Sequence, residues 1–127
     1  MEPKKIILVE DEPDTAKVIQ KRLAIEGYNV MVTQDAIQAV SFIHSERPDL
    51  VILDLMLPGG GGLAVLETLR LSTFTATIPI LVLTGMQNET YKQTVLKEGV
   101  DAYLEKPYDA DELLATIRHI LEKRQAR

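Results

Sequence analysis

Five short apolar runs alternate with helix-length amphipathic segments along this chain. Ile6-Ile7-Leu8-Val9 comes first, rich in β-branched residues and apolar throughout, as expected of a strand buried on both faces. Val30-Met31-Val32, Leu50-Val51-Ile52-Leu53, Ile80-Leu81-Val82-Leu83 and Ala102-Tyr103-Leu104 follow. The segments between them carry apolar residues at helical spacing: Ala16, Ile19 and Leu23, then Ala36, Val40 and Ile43, then Leu63, Leu66 and Leu69. The stretch Glu89 to Lys97 is thinner, with Tyr91, Val95 and Leu96 as its large apolar residues. The last segment has the broadest face, built from Leu113, Leu114, Ile117, Ile120 and Leu121. Gly27, Gly62, Gly99 and the prolines Pro13, Pro48, Pro58, Pro79 and Pro107 fall at the boundaries. Strict alternation predicts an α/β fold: a doubly wound, five-stranded parallel sheet with five helices on its two faces.

The 127 residues fit one domain, expected over residues 1–127, with 123–127 a charged helix end or tail. The net charge of -5 disfavours direct nucleic-acid binding, which calls for a basic face. The chain has no cysteine, so disulfides, thiolate metal sites and cysteine nucleophiles are excluded. Met1 to Lys5 lead into the first strand without the apolar core of a signal peptide, and no apolar run is long enough to span a bilayer. A cytoplasmic protein with no membrane partner is the expectation.

Parallel sheets of this kind bind ligands beyond the carboxyl ends of their strands. Here the first strand ends in Glu10-Asp11-Glu12, the third in Asp54 and the fourth in Thr84-Gly85, and the fifth is followed by Lys106-Pro107. Carboxylates converging on one pocket repel one another, so such a site binds a cation or raises a pKa. Oxygen ligands without a nearby histidine favour a hard divalent ion such as Mg²⁺ over zinc. A lysine and a threonine on the same edge supply a point charge and a hydroxyl donor for a phosphoryl group. An ionised aspartate is a competent nucleophile for phosphoryl transfer. Taken singly, an Asp after a strand is usually a turn former, and a Thr or Lys there is usually surface. Their joint placement carries the argument.

Ile7-Leu8-Val9-Glu10-Asp11-Glu12-Pro13, Leu53-Asp54-Leu55-Met56-Leu57-Pro58, Leu83-Thr84-Gly85 and Tyr103-Leu104-Glu105-Lys106-Pro107-Tyr108 together resemble the response-regulator receiver domain of two-component signalling. The resemblance runs from Lys5 to about Lys123. It implies a flavodoxin-like fold with strand order 2-1-3-4-5, and a signalling domain rather than a regular enzyme. It further implies Asp54 as the phosphoacceptor. Asp11, Asp54 and the Met56 backbone carbonyl would ligate Mg²⁺, with Glu10 acting through a water. Thr84 and Lys106 would hold the phosphoryl group, Thr84 and Tyr103 would form the switch, and the Lys106–Pro107 peptide would be cis. The implied partners are a sensor histidine kinase or histidine phosphotransfer protein, and a downstream effector. The output face would be that of the fourth helix, fifth strand and fifth helix, which also allows a homodimer.

Some positions depart from the family pattern. Glycine stands at 61, where the family commonly has Asp or Ser, inside the run Pro58-Gly59-Gly60-Gly61-Gly62, so a mobile loop is expected. Met56 and Met86 lie two residues beyond Asp54 and Thr84. They either fill gaps or, by failing to orient water, slow the loss of phosphate. The large winged-helix subfamily commonly has an arginine where Thr116 stands, which lowers that option. Three competing readings differ in class. A haloacid-dehalogenase-like phosphatase needs a second acid where Met56 stands. A flavodoxin-like carrier needs a phosphate loop where Glu10-Asp11-Glu12 would repel one. A degenerate receiver that binds partners without phosphorylation conflicts with the retention of Asp11, Asp54, Thr84 and Lys106.

Overall fold

A computed structural model describes residues 2–57, 61–85 and 87–125. The element order is β1 (Lys5–Val9), α1 (Pro13–Ile25), β2 (Asn29–Thr33), α2 (Ala36–Glu46), β3 (Leu50–Asp54), α3 (Gly61–Leu71), β4 (Ile80–Thr84), α4 (Glu89–Lys97), β5 (Ala102–Glu105) and α5 (Ala110–Gln125). The strands form one parallel sheet in the order β2-β1-β3-β4-β5. The alternation read from the sequence and the strand order implied by the resemblance are both borne out.

Period-two alternation divides the apolar residues between two cores. Ile6, Leu8, Leu50, Ile52, Leu81 and Leu83 face α1 and α5. Ile7, Val9, Val51, Leu53, Ile80 and Val82 face α2, α3 and α4. Strands β3 and β4 are buried at every position, whereas the edge strand β5 is only half covered and ends exposed at Glu105. The helical stripes also differ slightly from expectation. In α2, Ala39 is buried with Ile43, while Ala36 and Val40 are half-buried; in α3, Val65 joins Leu66 and Leu69, and Leu63 is half-buried. Both apolar faces are wide enough to rotate by one position without exposing their centre.

Local chemistry starts the helices where the pattern places them. The Glu12 side chain accepts from the Asp14 N–H, and Pro13 opens α1, where a missing N–H is harmless. Asp35, Asn88 and Asp109 accept from the N–H groups of Gln38, Tyr91 and Glu112 at the starts of α2, α4 and α5. In α4, Val95 is the one buried side chain among the described residues, and Leu96 is 38% exposed. That thin anchoring matches the sequence reading.

The mobile loop expected over residues 58–62 falls largely outside the described residues. Pro58, Gly59, Gly60 and Met86 lie outside the described residues. Gly61 has φ +73°, a conformation that disfavours the Asp or Ser considered for that position. Gly62 is the tighter constraint: a Cβ there would meet Leu55 Cα at 2.6 Å and the Asp54 carbonyl oxygen at 2.7 Å. The start of α3 therefore packs directly on the backbone that carries Asp54.

Candidate functional site

Strand register brings the acids together. Val9 pairs with Leu53, so Glu10 emerges beside Asp54, and Asp54 pairs with Leu83, one residue before Thr84. Thr84 in turn pairs with Glu105, and the Lys106 N–H donates to the Thr84 carbonyl at 2.8 Å. Four strand ends thus converge on one edge, the carboxyl edge of the sheet.

Carboxylate oxygens of Glu10, Asp11 and Asp54 lie within 4.8 Å of one another. Glu10 and Asp54 are buried, while Asp11 is exposed to solvent. Lys106 Nζ lies 3.1 Å from Asp54 Oδ2 and 3.5 Å from Glu10 Oε1. The other Asp54 oxygen, Oδ1, accepts from the Met56 N–H at 2.9 Å. One ammonium faces three acids, so the cluster is short of positive charge. Burial pushes the Glu10 carboxyl up to about 7; the Glu12 N–H, bonded to Oε2 at 3.2 Å, works against this, and the Asp54 charge reinforces it. Burial acts to lower the Lys106 pKa, but its hydrogen bond to Asp54 and the charges of Asp54 and Glu10 win, and it rises. The donor set is all oxygen and acidic, with one member holding a proton near neutrality. It fits a hard divalent cation that would replace that proton.

Thr84 is fully buried at the end of β4. Tyr103 is half-buried against the α2–α3–α4 core, and its hydroxyl is enclosed without a hydrogen-bond partner among the described residues. Burial, then the Glu105 charge, pushes that phenol up. The Lys106–Pro107 peptide is cis. The Met56 side chain is 55% exposed, and Gly85 leaves space near its sulfur, with a Cβ there meeting Sδ at an unstrained 3.8 Å. His44 and His119 lie away from this edge; His44 packs edge-on against Phe74 at 5.3 Å.

Sequence reasoning missed three contributors. The Glu12 N–H steadies Glu10, Gly62 admits α3 onto the Asp54 backbone, and the Tyr108 phenol feels the charges of Lys106, Glu10 and Asp54. Only the Glu12 turn had a signal, an acid directly before Pro13 at a helix start. A cavity of about 500 Å³ lined by Thr33, Asp35, Gln38, Ser41 and Phe42 lies on the β2–α2 side, away from the acids.

Comparison with known proteins gives the family. The family model described as response regulator receiver domain matches residues 6–118. The chain is 35% identical over 119 residues to the DNA-binding dual master transcriptional regulator RpaA of Synechocystis, covering 94% of this chain and 49% of that protein. It is 36% identical over 121 residues to the response regulator MprA of a Mycobacterium species, covering 95% and 52%. The chain spans about half the length of these curated relatives. Among solved structures it resembles a CheY-like receiver domain protein from Methanospirillum hungatei, with TM-score 0.92, 26% identity and 98% of each chain covered. It also resembles the BeF3-activated N-terminal receiver domain of Klebsiella pneumoniae RstA, with TM-score 0.85, 33% identity and coverage of 92% of this chain and 97% of that one.

Proposed function

The chain belongs to the response regulator receiver domain family, and from that premise we propose that it accepts a phosphoryl group on Asp54. The observation that carries this reading is the Asp54 carboxylate, buried and flanked by Glu10, Asp11 and Lys106. Asp11, Asp54 and the Met56 carbonyl would hold Mg²⁺ directly, and Glu10 through a water. Bound Mg²⁺ would neutralise charge on the incoming phosphoryl oxygens and on the carboxylates.

The chain's own residues do the rest. An Asp54 carboxylate oxygen attacks the phosphorus of a phosphohistidine on a sensor kinase or phosphotransfer protein. The bond from phosphorus to the histidine nitrogen breaks, its electron pair returns to the imidazole, and an acyl phosphate forms on Asp54. Lys106 gives up its bond to the carboxylate oxygen and pairs with a phosphoryl oxygen, while the Thr84 hydroxyl donates to another. The barrier falls mainly through positioning, since these donors are held by the sheet before the donor arrives. Transfer would then bias an equilibrium of the α4–β5–α5 face, with Thr84 and Tyr103 as the moving pair. The chain would act as one receiver domain, signal to a downstream effector and be able to pair with a second copy through that face. RpaA, a DNA-binding transcriptional regulator, is about twice as long as this chain, so any DNA contact would be made by an output segment and not by this acidic domain.

Incubation with Mg²⁺ and a small phosphodonor such as acetyl phosphate tests the reading. The intact mass should rise by one phosphoryl group in the parent and not in Asp54→Ala or in chelator. No gain with several donors would favour a receiver that binds partners unphosphorylated.

A further inference from the structure

Lys92 makes two contacts across the gap between α4 and β5. Its ammonium lies 5.3 Å from the centre of the Tyr103 ring and 3.8 Å from Glu105 Oε1. Tyr103 and Glu105 are two apart on β5 and so project from the same face, whereas Leu104 between them packs into the opposite core. Lys92 and Val95 are three apart on α4 and share the side that meets the sheet. Val95 is the one buried side chain in this helix among the described residues and Tyr91 is half-buried on the same core, so apolar anchoring is thin and the lysine adds a tie from α4 to β5. Its charge also covers a ring whose hydroxyl is enclosed without a partner, an arrangement that needs something to hold it in place.

The far end of this contact reaches the acidic pocket. Glu105, which pairs with Lys92, directly precedes Lys106, which pairs with Asp54. The same stretch of β5 is tied to β4 by the bond from the Lys106 N–H to the Thr84 carbonyl. We propose that Lys92 is a positioning residue: by clasping Tyr103 and Glu105 it keeps the end of β5 in place, and so keeps Lys106 and Thr84 prearranged for a phosphoryl group. The coupling half of this inference rests on the phosphoacceptor reading; the clasp itself does not. Releasing the clasp loosens the end of β5, and a phosphoryl mimic must then order it on binding.

Two variants test it. Lys92→Met keeps the stem and removes the charge, and Lys92→Arg keeps a cation that stacks on aromatic rings. Amide hydrogen exchange in 89–97 is measured without ligand, and the affinity for beryllofluoride is measured with Mg²⁺. Lys92→Met should speed exchange in α4 and weaken beryllofluoride binding, each by about fivefold, with Mg²⁺ affinity unchanged and Lys92→Arg close to the parent. Unchanged exchange in Lys92→Met would overturn the clasp. Faster exchange with unchanged beryllofluoride affinity would overturn the positioning role. A parent protein that ignores beryllofluoride, with exchange still accelerated by the substitution, would overturn the phosphoacceptor reading and the coupling while leaving the clasp standing.

Discussion

Asp54 and Lys106 are 52 positions apart in the chain, yet the Lys106 ammonium donates to Asp54 Oδ2 at 3.1 Å. Two strand pairings lie behind that contact, from β3 to β4 and from β4 to β5, each registered so that strand ends rather than strand centres meet at the pocket. The ammonium partly neutralises a carboxylate that the fold would otherwise bury beside two more. The residual negative charge is what would favour a bound cation at this edge.

A pH dependence follows from Glu10. Its carboxyl is raised from 4.5 to about 7, so the folded protein without metal holds this proton more tightly than the unfolded chain does. The associated stability is fully present below about pH 4.5 and is lost as pH rises through 7. On the proposal that Mg²⁺ binds here it would displace the proton, so its apparent affinity should rise roughly tenfold per pH unit below neutrality and level off above about pH 8. Thermal melts with and without Mg²⁺ across this range check both signs. Glu10→Gln should flatten the metal-free curve, and a parent whose metal-free stability rises from pH 5 to 8 would contradict the assignment.

Gly62→Ala should be costly. Its methyl group would press on the Leu55 Cα and the Asp54 carbonyl, which are backbone atoms and cannot rotate away. A loss of about 3 kcal/mol in urea unfolding is expected, accompanied by weaker Mg²⁺ binding as the Asp54 backbone shifts. Among the described residues Gly85→Ala meets nothing closer than the Met56 sulfur at 3.8 Å, and it should stay within about 0.5 kcal/mol of the parent.

Arg70 predicts a failure of conservative substitution. Its guanidinium donates to the carbonyls of Ala76, Ile78 and Gly99 at 2.8, 2.9 and 2.9 Å, and lies 3.8 Å from Asp101, joining the end of α3 to the segments that lead into β4 and β5. A lysine has one nitrogen and cannot span these acceptors. Arg70→Lys should therefore lose about 2 kcal/mol in the same unfolding assay, well above the cost of an ordinary surface change.

Tyr103→Phe should not destabilise the protein. The hydroxyl is enclosed without a partner among the described residues, and its removal relieves a desolvation cost while the ring keeps its contact with Lys92. A gain of about 1 kcal/mol is expected by denaturation. A clear loss would mean that the hydroxyl has a partner in solution.

Much of this was legible in the chain because it depends on order along it. Apolar runs, helical stripes and the residues that end each strand are one-dimensional features, so Glu10, Asp11, Asp54, Thr84 and Lys106 could be assigned to one edge before any distance was known. The remainder depends on approach in three dimensions. No spacing rule reveals that Gly62 touches the Asp54 backbone or that Lys92 lies over the Tyr103 ring. The half-exposed β5 was legible only through the resemblance: Ala102, Tyr103 and Leu104 read by themselves like a buried strand, and the implied strand order put them at an edge, where the sheet has them.

The most direct test of the central claim maps the phosphoryl group to an atom. After reaction with acetyl phosphate and Mg²⁺, borohydride reduction converts an aspartyl phosphate to homoserine, and peptide mass spectrometry locates it. Homoserine at position 54 and no other, lost when Mg²⁺ is chelated, is the predicted result. Homoserine at Asp11 or elsewhere, or none despite a phosphodonor in excess, would contradict it.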